Sequence, residues 1–226
     1  MTTTAGPREV LAAARRARAE VASVVAGAGG GGSVAQWAQV VGELQALVDV
    51  ATAVQDSAVV ALAAVETEVD EDGTLVEVRH APGHVALDAP AVISGVLCVS
   101  AVHAERRVRE AVRVAADGPE GTPASTGLGG LHVAMGDGRL DPYRAQVLAH
   151  ELDEAPAQVA RVVVDALEAW FEQEDATRLR RRCRRLLARI CPDLLRQRAV
   201  RARSESGPAA VGRRTRRRHL ARDLPL

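Results

Sequence analysis

A long apolar stripe with helical spacing occupies the segment between residues 33 and 69. Ser33 stands at its start and is of a type that caps helices, and apolar residues then recur every three or four positions. The stripe consists of Trp37, Val40, Val41, Leu44, Leu47, Val48, Ala51, Val54, Ala58, Leu62 and Val65. A strand would require alternation instead, so the segment predicts one helix from Ser33 to about Val69.

Further helices are predicted wherever the same spacing recurs behind a capping residue or a proline. We expect them over 7–25, 89–97, 101–116 and 141–152, from 155 to about 170, and from 175 to a break at Pro192. Residues 75–80 alternate like a short strand, and the glycine-rich segments 27–32 and 117–130 predict a linker and a loop. The predicted fold is all-α: a multi-helix bundle with one long N-terminal helix, a helix-turn-helix-like pair and at most a short hairpin.

The composition excludes several classes of protein. Lysine is absent, and a Walker-type phosphate loop needs one, so that nucleotide-binding site is excluded. The three cysteines include no Cys-x-x-Cys pair, and Cys183 and Cys191 are too far apart on one helix for a disulfide, which favours a reducing cytoplasm. The longest charge-free apolar run, 89–102, is too short to span a bilayer, so no membrane contact is predicted.

Charge is divided unevenly along the chain. Residues 1–177 carry 12 arginines and 26 acids, whereas residues 178–226 carry 17 arginines and three acids. In the helix after Asp175, five apolar residues lie within about 100° of arc and predict its inner face. They are Leu179, Cys183, Leu186, Leu187 and Ile190.

The opposite face of this helix predicts phosphate contact with DNA, through Arg180, Arg181, Arg184 and Arg185. The alternative is a solvated face whose charge is neutralised by acids close in sequence. Those acids stand at positions 151, 153, 154, 165, 168, 172, 174 and 175.

The segment 94–111 has the pattern of a helix-turn-helix. Ser94, Cys98 and Ser100 occupy the positions of the small residue, the tight turn and the cap of the second helix, although glycine is usual at the turn. The second helix carries Arg106, Arg107 and Arg109, which are candidates for contact with DNA phosphates. The alternative is a helical pair without any nucleic-acid role, since this geometry is common in helical bundles.

Residues that could carry catalysis or hold a metal ion are scattered. His80 and His84 flank a Pro-Gly turn, and His150 lacks the second histidine that a zinc protease has one helical turn later. We therefore predict no catalytic residue, no metal site and no cofactor, and no enzyme activity of the chain alone.

Four stretches, in their order and spacing, resemble a known family. They are 78–84 (Val-Arg-His-Ala-Pro-Gly-His) with 87–89, 127–132 (Gly-Leu-Gly-Gly-Leu-His) with 134–135, 138–145 (Gly-Arg-Leu-Asp-Pro-Tyr-Arg-Ala) and 179–203. Through them, residues 34–207 resemble the domain of unknown function 222, the thirteen-E-twelve repeat family. The resemblance implies a helical region that precedes a C-terminal HNH nuclease domain, a metal-dependent DNA-cutting module.

The sequence after Gly207 departs from this family. GC-rich codons for the tail, read one base over, give Leu-Arg-Arg-Trp-Val and Trp-His-Gly-Thr-Phe-Pro, which are typical of relatives. We therefore expect a frameshift near Gly207 and a disordered, arginine-rich tail over 208–226. The predicted organisation is an N-terminal helix with a glycine-rich linker over 1–32, a helical domain over 33–207, and this tail.

The function predicted from the sequence is a helical accessory module of an HNH-nuclease-like protein, which contacts DNA and ends before the catalytic domain. The alternative is a scaffold or dimerisation module without a nucleic-acid role. In that alternative the long helix 34–69 pairs between copies of the chain, which would then be a homo-oligomer.

Overall fold

In the computed structural model, which describes residues 6–25, 31–118 and 125–205, the chain is mostly helical, as predicted. The helices are α1 (Pro7–Val25), α2 (Val34–Ala63), α3 (Ala89–Leu97), α4 (Ala101–Ala115), α5 (Gly129–Gly136), α6 (Pro142–Glu151), α7 (Ala157–Leu167), α8 (Ala176–Ile190) and α9 (Pro192–Glu205). A 3₁₀ turn, Glu168–Trp170, follows α7, and strands β1 (Val65–Val69) and β2 (Leu75–Arg79) form an antiparallel hairpin. The predicted tail, 208–226, and most of the predicted glycine linker lie outside the described residues.

Helix α2 begins as predicted but ends earlier. Ser33 Oγ accepts a hydrogen bond from the Gln36 N–H, and the Gln36 side chain accepts one from the Ser33 N–H, which completes a capping box. The predicted extension to Val69 is wrong, because α2 ends at Ala63 and residues 65–69 pair with 75–79 as a strand. β-branched residues at 65, 67 and 69 favour that strand, and Gly73 adopts the positive φ of 79° that its turn requires.

The apolar stripe from which α2 was predicted lies mostly on the surface. Trp37, Val41 and Val48 are all exposed. The buried residues of α2 are instead Asp49, Ala53, Asp56, Val59, Val60 and Ala63. Burial along α2 begins only at Asp49. The elements that contact α2 therefore cover its C-terminal half; they are α3, α4, α5, α6 and β1. Within the described part of the chain, most of the stripe is left uncovered.

Two clusters of buried side chains form the interior. The first lies where α2, α3 and α4 meet, and consists of Val59, Ala63, Ala86, Ala89, Ile93, Ala104, Val108 and Ala111. The second lies mainly between α5, α6, α7, α8 and α9, and its large members include Leu131, Leu148, Leu167, Phe171, Leu179 and Leu187. The second cluster contains the larger side chains, so it removes more apolar area from water per residue.

The predicted connection between α3 and α4 is present. Cys98 adopts a left-handed conformation (φ 53°), which glycine adopts more easily, and the Ser94 hydroxyl donates a hydrogen bond to the Val99 carbonyl at 2.7 Å. Ser100 caps α4 by accepting a hydrogen bond from the backbone N–H of His103 at 3.3 Å. The two helices therefore meet at a short, hydrogen-bonded turn, and α4 packs on both α2 and α3.

Three details of the later helices differ from the sequence prediction. Helix α5 begins at Gly129, inside the segment predicted as a loop, and its short glycine-rich sequence concealed it. Helical spacing predicts Val162 on the inner face of α7, but Val162 is exposed, because the buried positions of that helix are 160, 163, 164 and 167. Ile190 is 41% exposed, since it stands in the last turn of α8, beyond the residues that α6 and α7 cover.

Helix α2 also has the length and apolar composition of a membrane-spanning helix. One such helix is weak support for a membrane, because the core helix of a soluble protein has the same properties. Over its C-terminal half, α2 packs against four other helices, as a core helix does. Its buried residues there include Asp49 and Asp56, and acidic side chains are rarely buried without a partner.

Candidate nucleic-acid interface

Helix α8 contains seven arginines and no acidic residue. Asp175 caps it by accepting a hydrogen bond from the backbone N–H of Arg178 at 2.9 Å. Leu179, Cys183 and Leu187 are fully buried and form its inner face, as predicted. Because these three positions fix the rotation of the helix, they also decide which arginines face the acids of neighbouring elements and which face solvent.

Glu151, the last residue of α6, neutralises one flank of α8. Its buried carboxylate accepts two hydrogen bonds from Arg184, at 2.8 Å each, and lies 3.3 Å from Arg180 Nε. These hydrogen bonds raise the pKa of the Arg184 guanidinium above its ordinary value. Two of the four candidate arginines of α8 are therefore paired within the protein.

Glu174 neutralises a second part of the helix. Arg182 Nε donates a hydrogen bond to Glu174 Oε2 at 3.0 Å, and the Arg182 guanidinium lies 3.7 Å from the centre of the Trp170 ring. The hydrogen bond from Arg182 holds the pKa of Glu174 below its usual range. Arg178 lies 3.7 Å from Asp175, so it too has an acidic neighbour.

Arg181, Arg185 and Arg189 are exposed, and none of them forms a salt bridge with a described residue. They are spaced four residues apart, which places them on one side of α8 at intervals of about 6 Å along its axis. Arg181 and Arg185 also line an open pocket of about 480 Å³, to which Glu174 contributes the one acidic side chain among its lining residues. Arg181 and Arg185 are therefore the two predicted arginines of α8 that form no salt bridge with a described residue, although Glu174 lies close enough to Arg185 to attract it.

Two candidate arginines of α4 have acidic neighbours within the same helix. Arg106 Nε lies 3.6 Å from Glu110 Oε1, and Arg109 Nη2 lies 2.6 Å from Glu105 Oε1. Both pairs have the i,i+4 spacing, and both arginines are more than half exposed. The two acids cancel the charge of the two arginines on this surface.

The third candidate of α4, Arg107, is paired across helices. Its Nη2 lies 2.6 Å from Oδ1 of the buried Asp56, which is ion-pair distance, but the two atoms are not aligned as a hydrogen bond. The same nitrogen donates a hydrogen bond to the Gln55 side chain at 3.1 Å. Burial raises the pKa of Asp56 to about 6, against the opposing attraction of Arg107. Arg107 therefore compensates a carboxylate that the fold has placed in its interior.

The structure brings the arginines of α4 and α8 to one groove. A cavity of about 510 Å³ is lined by Arg107 and Arg113 from α4 and by Arg180 from α8, together with Asp56 and Glu110. No local sequence pattern predicts that these two distant segments meet. The groove combines both signs of charge, so it is less suited to a polyanion than the outer side of α8.

A further pair of arginines, not singled out from the sequence, lies on α9. Arg198 donates hydrogen bonds to Glu154 Oε2 at 3.1 Å and to the Glu151 carbonyl at 2.9 Å, and Arg201 also bonds to Glu154. The hydrogen bond from Arg198 holds the pKa of Glu154 below its usual range. These contacts join residues more than 40 positions apart, for which no local pattern exists.

Two groups with catalytic side-chain types are present among the described residues, a serine–histidine pair and a buried cysteine. Ser57 Oγ lies 3.0 Å from His132 Nε2, but the hydroxyl also lies 3.2 Å from the Ala53 carbonyl, and His132 Nδ1 has no hydrogen-bond partner among the described residues. A serine nucleophile would need that nitrogen held by a third group. Burial raises the pKa of the Cys183 thiol to about 12, so it is not a thiolate at neutral pH.

Comparisons of the chain with protein-family models, with curated proteins and with solved structures give no match.

Proposed function

We propose that this chain is a helical accessory module that contacts DNA through its phosphate backbone, with Arg181 and Arg185 of α8 as the principal contacts. The single observation that carries the proposal is the row of exposed arginines on α8 that form no salt bridge with a described residue. The resemblance to the domain of unknown function 222 supports the same function. In that family catalysis belongs to a separate HNH domain, so no catalytic residue is assigned here.

The physical basis of the proposal is the release of counterions. A guanidinium that neutralises a phosphate displaces a condensed cation from DNA, and the entropy gained favours binding at low salt. An arginine already paired with a carboxylate carries little net field, and it must lose that partner before it binds a phosphate. The arginines that have acidic neighbours are therefore secondary candidates: Arg106, Arg107, Arg109, Arg180 and Arg184. The row of Arg181, Arg185 and Arg189 dominates the affinity.

The proposal also includes finer structural and cellular features. The helices form a multi-helix bundle, in which α3 and α4 are the helix-turn-helix-like pair beside the DNA. Free cysteines, of which Cys98 is exposed, support a reducing cytoplasm as the location.

The test is the salt dependence of DNA binding, measured by fluorescence anisotropy with a labelled duplex and the full chain. Three phosphate contacts, from Arg181, Arg185 and Arg189, give a slope of log K against log salt of about −3. A duplex of unrelated sequence should bind with the same slope, because phosphate contacts carry no sequence information. Absence of binding at low salt would contradict the proposal.

A second candidate function, dimerisation, is favoured by the uncovered stripe on α2. Val41 is 67% exposed and Val48 is 54% exposed, and together with Trp37 they lie on an apolar face that the other described elements do not cover. Burial of this face between two copies would be driven by the hydrophobic effect, so it would persist at high salt. Light scattering tests it: the chain should be a dimer, Val41→Arg should be a monomer, and Val200→Arg, at an exposed position of α9, should remain a dimer.

A further inference from the structure

Three ligand-type side chains converge beside the β-hairpin. Glu66 comes from β1, His80 directly follows β2, and His84 follows the turn after it. One oxygen, Glu66 Oε2, lies 3.0 Å from His84 Nε2 and 3.5 Å from His80 Nε2. The three ligand atoms all lie within 4.8 Å of one another.

These separations are those of ligands around one small cation. Zinc bonds to histidine nitrogen and carboxylate oxygen are about 2.0–2.2 Å long, so tetrahedral ligand atoms are roughly 3.4 Å apart. The two distances from Glu66 Oε2 are on either side of that value. Glu68 Oε1, 3.6 Å from His80 Nε2, stands close enough to be a fourth ligand.

A second, independent observation concerns His80. Its Nε2 atom is enclosed by the protein but makes no hydrogen bond in the described structure. An enclosed polar nitrogen without a partner costs free energy, and such atoms usually have one. The nitrogen lies 3.5 Å from the same carboxylate oxygen that His84 contacts, and the two imidazole rings are stacked with their centres 4.1 Å apart.

The backbone holds the two histidine-bearing positions firmly. The His80 N–H donates a hydrogen bond to the Ala64 carbonyl at 2.7 Å, and the Ala86 N–H donates one to the Ala63 carbonyl at 2.8 Å. The loop that carries both histidines is therefore fixed at each end to the C-terminus of α2. Preorganised ligands lose little conformational freedom when a metal binds.

We propose that Glu66, His80 and His84 form a binding site for one divalent transition-metal ion, with zinc as the best fit, and that Glu68 or a water completes its coordination. Two imidazoles and a carboxylate suit zinc better than magnesium or calcium, which prefer oxygen ligands. The metal takes the place of the proton between His84 Nε2 and Glu66 Oε2. His84 then binds as a neutral imidazole with its proton on Nδ1, so the displaced proton moves to Nδ1, or to solvent if both ring nitrogens were protonated. The ion would cross-link β1 to the loop after β2.

The histidine spacing alone did not reveal this site. Glu66 lies 18 residues before His84, in a segment that the apolar pattern assigned to the long helix. Only the early end of α2 and the hairpin that follows bring the carboxylate beside the two imidazoles. The sequence prediction considered the two histidines without Glu66, because residue 66 was assigned to the long helix.

Isothermal titration of the full chain with Zn²⁺ tests the proposal. We expect one site per chain, with an affinity that His80→Ala and Glu66→Gln each reduce by about tenfold or more. Co²⁺ titration should give the visible absorption of a tetrahedral cobalt site, and both variants should lose it. Zn²⁺ should also raise the melting temperature of the wild type by more than that of His80→Ala at the same zinc concentration.

Two control variants separate this site from other zinc-binding groups. His103→Ala removes an exposed histidine of α4, and Cys98→Ser removes the exposed thiol; neither should change the zinc affinity. Circular dichroism of each variant without metal establishes whether it is folded. If His80→Ala is unfolded, Glu66→Gln, which changes a partly exposed strand position, replaces it in the test. Equal zinc binding in wild type and Glu66→Gln, or loss of binding in Cys98→Ser, would overturn the proposal.

Discussion

Helices α4 and α8 are both amphipathic and rich in arginine, yet the fold uses their charge differently. α4 carries four arginines and two acids, and α8 carries seven arginines and no acid. Two of the four acids that pair with α4 arginines, Glu105 and Glu110, lie on α4 itself, whereas the acids that pair with α8 arginines come from α6 and from the turn before α8. A helix that contains its own acids is neutralised around its surface, while one that depends on neighbours is neutralised only on the flanks those neighbours reach.

The largest expected effect separates the two faces of α8. Leu187 is fully buried, so Leu187→Asp places an unpaired carboxylate in the second core cluster and should cost about 4 kcal/mol or more of unfolding free energy. Arg181→Asp, on the exposed face, should cost under about 1 kcal/mol. Urea denaturation measures both; similar losses would show that the inner face of α8 is wrongly assigned.

The next effect concerns the buried carboxylate of Asp56, which lies beside Arg107 of α4. The pKa of Asp56 is raised from 3.8 to about 6, so the folded state favours its protonated form. Its contribution to stability is therefore complete below about pH 4 and is lost as pH rises through about 6. Asp56→Asn, which stays neutral, should stabilise the protein at pH 8 by on the order of 2–3 kcal/mol and by almost nothing at pH 4.

Denaturant unfolding of wild type and Asp56→Asn across this pH range checks the prediction. The difference between the two proteins should grow between pH 4 and 7. If the variant is instead destabilised at pH 8, the Arg107–Asp56 ion pair outweighs the burial of the carboxylate.

A smaller effect concerns the flank of α8 that Glu151 neutralises. Glu151→Gln leaves Arg180 and Arg184 without their carboxylate, and should cost roughly 1–2 kcal/mol of stability. The same change should strengthen DNA binding, because it releases two arginines. Glu172→Gln is the control, since Glu172 is exposed and forms no salt bridge with a described residue. Weaker DNA binding by Glu151→Gln would contradict this description of the flank.

The sequence predicted some elements of this structure well because their signals were local. The caps at Ser33, Ser100 and Asp175 and the inner face of α8 depend on residues within a few positions of one another. The end of α2 was mispredicted because helical spacing persisted to Val65. Residues 65–69 are instead a strand, because they pair with β2 across a turn. Tertiary pairing overrode a local pattern there.

The candidate interface was predictable only in part, for the same physical reason. The sequence located the arginines of α8 and named Glu151, Glu174 and Asp175 among the acids that could neutralise them. It did not show which arginine each acid contacts, since Glu151 lies 33 residues before Arg184 and reaches it only after α6 and α8 pack together. The uncovered stripe on α2 was also unpredictable, because an apolar face shows that burial is favourable and not which element buries it.

The most direct test of the account compares two double variants that remove the same charge. Arg181→Gln/Arg185→Gln removes unpaired arginines from α8, and Arg106→Gln/Arg109→Gln removes exposed arginines of α4 that have acidic neighbours. The measurement is the salt dependence of duplex DNA affinity for each. The account predicts that the α8 variant loses about two units of the log–log salt slope while the α4 variant keeps the wild-type slope. Equal slopes in the two variants, or a loss confined to the α4 variant, would contradict it.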